Sequence, residues 1–76
     1  MVIFIKDYIA ERLEGGDLGY VIAEALGVSV SMVSSYKLGG YNPSLSVAKT
    51  VYRQEGIVLH PFSEESLKVE LSKDKR

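Results

Sequence analysis

Glycine ends four of the apolar, helix-periodic runs in this chain, and that spacing limits the length of every element before Gly56. Gly15-Gly16, Gly27, Gly39-Gly40 and Gly56 leave stretches of 10, 11 and 15 residues between them. Each stretch has room for only a few helical turns. Residues 3–14, IFIKDYIAERLE, carry Ile5, Ile9 and Leu13 at four-residue spacing with Tyr8 alongside, while Lys6, Asp7, Glu11 and Arg12 lie mostly elsewhere on the wheel. This pattern predicts an amphipathic helix ended by Gly15-Gly16.

The same reading continues along the chain. Asp17 is expected to cap a second helix over about residues 18–26, with Leu18, Ile22, Ala25 and Leu26 inward and Gly27 at its end. Ser29 is expected to cap a third helix, 29–38, with Val33 and Tyr36 inward, Met32 at the edge and Gly39-Gly40 closing it. Asn42-Pro43-Ser44 reads as an N-cap followed by proline at the first helical position. That fourth helix runs to about Glu55, with Leu45, Ala48, Val51 and Tyr52 as its apolar side, and Gly56 follows it. Residues 57–59 form an apolar connector expected to fill the bottom of the core. Ser63 caps a short last helix, Phe62 and Leu67 have the spacing of a hydrophobic staple, and residues 72–76 read as a polar, frayed end.

The expected fold is one all-α domain of four to five short helices over residues 1–76. It divides into an N-terminal helix (1–16), a helix-turn-helix (17–38), a supporting helix and connector (42–59) and a C-terminal segment (60–76). At 76 residues the chain is too short for a two-domain cleft or a dinucleotide fold. It has no cysteine and one histidine, His60, which argues against a disulfide framework or a structural zinc site and suits a cytoplasmic protein. No run of residues approaches the ~20 apolar residues of a membrane span, and charge follows the N-terminal apolar run instead of preceding it as in a signal peptide. Net charge is −1, so nothing in the overall charge announces a nucleic-acid partner.

The informative stretch is GYVIAEALGVSVSMVSSYKL, residues 19–38. Two helices joined by a short turn around Gly27, with small Ala23 where they cross and Val33 and Tyr36 as anchors of the second, have helix-turn-helix spacing. The string LGVSVSMVSSYKLGGYNPSL resembles the helix-turn-helix core of the Cro and phage-repressor superfamily. Leu26-Gly27-Val28-Ser29 match its turn, Val33-Ser34 its recognition-helix anchor, Tyr36 its aromatic position, Gly39 its helix-ending glycine, and Asn42-Pro43-Ser44 the start of its next helix. The resemblance covers about residues 17–59 and implies a lambda-repressor-like domain. It further implies a transcriptional regulator of phage, prophage or bacterial origin that binds double-stranded DNA as a homodimer.

On that reading, helix 29–38 enters the major groove, and Ser29, Val30, Ser31, Ser34, Ser35, Lys37, Tyr41 and Asn42 are the expected DNA-binding residues. The sequence departs from the family pattern in charge. Between Gly16 and Leu45 the only basic residue is Lys37, set against Asp17 and Glu24. Serine hydroxyls and the Val30 methyls cannot make the bidentate pairs of arginine to guanine or glutamine to adenine. The neutral face suits a second reading, a protein-interaction module that keeps the scaffold without binding DNA.

Other features carry less. Ser34-Ser35-Tyr36-Lys37 is formally S-x-x-K, but the companion motifs of that enzyme class are absent. His60 reads as a loop residue, and Lys49 with Arg53 as a solvated stripe. Phe62, Leu67, Val69 and Leu71 suit either a dimer contact or docking on the domain's own core. No catalysis, cofactor, metal, small-molecule substrate or membrane partner is expected.

Overall fold

In a computed structural model, which describes residues 2–73, the chain forms five short helices and one pair of two-residue strands. The order is β1 (Val2–Ile3), α1 (Ile5–Glu14), α2 (Gly19–Leu26), α3 (Val30–Leu38), α4 (Leu45–Glu55), β2 (Val58–Leu59) and α5 (Glu64–Lys73). The domain is all-α in character. α1 and α2 both pack on α3, and α4 closes the core from the side of α2 and carries β2 and α5.

The main core draws Ile5, Tyr8 and Ile9 from α1, Ile22, Ala23 and Leu26 from α2, Val33 and Tyr36 from α3, and Val47 and Val51 from α4, with Leu59 beneath them. Each fully buried aliphatic side chain here contributes roughly 1.5–3 kcal/mol relative to exposure. A second cluster joins Ala48 and Val58 to Leu67, with Tyr52 and Phe62 at its edge. Leu67 is completely buried there, so the final helix docks on its own domain through Leu67, while Val69 remains exposed. The cap of α5 is reciprocal: Ser66 N–H donates to Ser63 Oγ at 3.1 Å, and Ser63 N–H donates to Ser66 Oγ at 3.2 Å. Serine here takes the place that glutamate or glutamine holds in the usual capping box.

Several expectations need correction. Ile3 and Phe4 are not helical. Val2–Ile3 pairs in parallel with Val58–Leu59, so the apolar connector is a strand, and His60 N–H adds a bond to Ile3 O at 2.7 Å. Periodicity could not show this, because two residues are too few to express a period. Asp17 does not cap α2. The helix starts two residues later, Leu18 occupies the N-cap with no side-chain bond, and Asp17 pairs with Arg12 instead. Leu18 is therefore exposed, and Ala23 replaces Ala25 among the buried residues. Asn42 does not cap α4 either. Ser44 does, its Oγ accepting from Val47 N–H at 3.2 Å, and Pro43 lies buried just outside the helix. The later start turns Val47 inward and leaves Leu45 outside the buried arc. Ser72 and Lys73 belong to α5, while the remainder of the expected frayed end, 74–76, lies outside the described residues.

A polar network ties three elements together. Tyr8 is buried, and its hydroxyl donates a hydrogen bond to Glu55 Oε2 at the end of α4. Arg12, one turn further along α1, reaches the same Oε2 at 3.2 Å. Its Nε lies 2.7 Å from Asp17 Oδ2, a close ion pair without an aligned N–H bond. Burial first, then the bond to Glu55 and its negative charge, push the Tyr8 hydroxyl well above its usual value of 10.0. A group whose folded pKa is raised contributes stability that is present below its unfolded pKa and lost as pH rises through the folded one. Tyr8→Phe should therefore cost about 1–2 kcal/mol at neutral pH. It should also flatten the fall in denaturation midpoint between about pH 9.5 and pH 11.5. Urea titrations across that range check this; equal slopes in both proteins would uncouple the hydroxyl from alkaline unfolding.

Candidate nucleic-acid interface

The turn between α2 and α3 is made by Gly27, Val28 and Ser29, and it sets the two helices at 102°. Gly27 adopts φ +72°, ψ 33°, the left-handed conformation that a side chain disfavours. Val28 N–H donates to Ala23 O at 3.0 Å and Gly27 N–H to Glu24 O at 3.3 Å. This pair of bonds is a Schellman ending, with half-buried Val28 turned back onto the core. Ser29 then caps α3 as expected, its Oγ accepting from Met32 N–H at 3.1 Å. The hydroxyl proton remains available to donate outward. The sequence signals for this turn were therefore sufficient, and 102° falls within the helix-turn-helix range of ~90–120°.

Packing fixes which side of α3 is presented. Val33 and Tyr36 are each 3% exposed and anchor the helix against α1 and α2. One turn separates the residues left on the opposite side, Ser31, Ser34 and Leu38, all exposed. Val30 (51% exposed) and Lys37 flank them. Ser35 is half-buried, so the expected set Val30, Ser31, Ser34 and Ser35 is only partly a single outward face. Leu38 is the residue that sequence reasoning missed. At 82% exposure it is the most open large apolar side chain among the described residues. Its position seven residues after Ser31 places it on the same side of the helix and was the available signal.

Tyr41 and Asn42 are exposed as expected, but they line a cleft at the C-terminal end of α3 together with Phe4, Lys6, Gly39 and His60. Gly39 closes α3 at φ +87°, and a Cβ there would sit 2.9 Å from Lys6 Cδ, so the lysine stem lies directly across this helix end. The sequence places Lys6 away from the apolar side of a helix and His60 in a loop; only the fold brings them and Phe4 beside residues 39–42. Lys49 is half-buried, Arg53 is exposed, and each is engaged in a contact. Among the described residues, no group of three His, Cys, Asp or Glu side chains is placed to hold a metal ion, and no single helix is long and apolar enough to cross a membrane.

Comparisons with protein-family models, with curated proteins and with solved structures find no match to this chain.

The space around Gly27 is open, with no atom within 4 Å of an added Cβ, so its cost of substitution is backbone strain alone. Gly27→Ala should lower the unfolding free energy by about 1–2 kcal/mol, and Gly27→Asn by less, because asparagine tolerates the left-handed region better. Chemical denaturation of the two variants measures the difference.

Proposed function

We propose that the protein is a sequence-specific, double-stranded DNA-binding regulator of the Cro and phage-repressor type, with α3 lying in the major groove. The observation that carries this reading is the 102° crossing of α2 and α3 combined with an outer face on α3 that, among the described residues, no other element covers. Ser31 and Ser34 supply hydroxyls that bond either base type, and Val30 and Leu38 supply apolar contact for a thymine methyl. Ser29 at the start of α3 and Ser44 at the start of α4 cap helix ends suited to backbone phosphates. The family resemblance adds a cytoplasmic homodimer on half-sites about one helical turn apart. No catalytic step belongs to this proposal.

A protein-interaction module is the second reading, favoured by an outer side of α3 that carries a single charge, Lys37, and by exposed Leu18, Tyr20 and Val21 at the start of α2. Fluorescence polarisation with random duplex at low salt separates the two. Absence of binding at tens of micromolar protein favours the module.

If three or four basic side chains meet phosphates, log Kobs should fall with log salt at a slope of about −3 to −4. A slope near −8 would mean that other cations take part. Ser34→Glu puts a negative charge on the outer side of α3 and should weaken duplex binding at least about tenfold. Unchanged affinity would remove α3 as the reading element.

A further inference from the structure

We propose that the cleft at the C-terminal end of α3 binds a small aromatic anion, a planar ring carrying one carboxylate or phosphate. The cleft has a volume of ≈ 250 Å³ and is walled by α1, the loop leaving α3 and the turn after β2. Its charge is one-sided: among the described residues that line it there is no aspartate or glutamate, and Lys6 is the one cation. Lys6 makes no ion pair among the described residues. Lys6, with no acidic side chain in the same lining, is the group that would receive an anion's charge.

The walls select a ring. Phe4 and His60 stack at 4.7 Å between centroids with a 41° tilt, and Phe4 is still 55% exposed. Tyr41 stands in the same lining at 61% exposure. Open aromatic faces beside a cation accept a flat ring by offset stacking while the ammonium takes its acid group. The Asn42 amide adds donors. The volume lies below the ~300–1,000 Å³ of sites for drug-sized ligands, which limits the occupant to about one ring and its acid. Gly39 belongs to the same design, because any side chain there would displace the Lys6 stem.

Titration of the full 15N-labelled chain with benzoate, phenyl phosphate, cyclohexanecarboxylate and inorganic phosphate tests the site. Benzoate and phenyl phosphate should shift the amide signals of Phe4, Lys6, Gly40 and Asn42 saturably. The ringless or non-aromatic partners should bind at least about fivefold more weakly. Lys6→Gln should weaken phenyl phosphate about tenfold, and Lys6→Arg should retain binding. Phe4→Leu should erase the preference for benzoate over cyclohexanecarboxylate. Shifts that do not saturate, that map elsewhere, or that persist unchanged in a folded Lys6→Gln protein overturn the proposal.

Discussion

Burial of Val33 and Tyr36 decides the orientation of α3. Those two side chains are fixed under α1 and α2, and a helix with two anchors three residues apart has no rotational freedom left. Every exposed position on α3 follows from them: Ser31, Ser34 and Leu38 face out because Val33 and Tyr36 face in. The left-handed turn at Gly27 supplies the angle, and the buried pair supplies the roll. Ala23 permits the approach, since it is buried where α2 meets the core and adds only a methyl group.

Helix ends were legible where a local bond decided them and obscure where two signals competed. Ser29, Ser63, Gly27, Gly39 and Gly56 act as their residue types suggest, because capping and left-handed geometry are settled within a few residues. At 42–44 two competent caps stand side by side, and the sequence alone does not rank Asn42 above Ser44. At 17 the competition came from a distance: Arg12 holds the Asp17 carboxylate, and the helix starts beyond it. Each displaced start rotated the buried stripe, which is why Leu18 and Leu45 are exposed and Val47 is not. The strand pair lay beyond local reading, since its partners stand near opposite ends of the chain.

The candidate surface was legible in position and incomplete in chemistry. Its serines were visible as a cluster, but Leu38 changes its character from purely hydroxylic to mixed. A surface with hydroxyls, methyls and one lysine discriminates bases weakly by direct hydrogen bonding. For a DNA-binding role, sequence-dependent groove width and flexibility would supply the remaining selectivity. The cleft beside Gly39 was not legible at all, because it gathers Phe4, Lys6, Tyr41, Asn42 and His60 from three separate segments.

The parallel pairing of Val2 with Val58 and Ile3 with Leu59 has a consequence for biogenesis. During synthesis the first strand leaves the ribosome long before its partner exists, so the nascent chain must wait with Val2 and Ile3 unzipped. α1, α2 and α3 depend mostly on near neighbours and can collapse while translation continues, whereas β1 joins only after Leu59 has cleared the exit tunnel. The topology thereby sets one step of assembly: residues 2–3 find their partner only once residues 58–59 have been made.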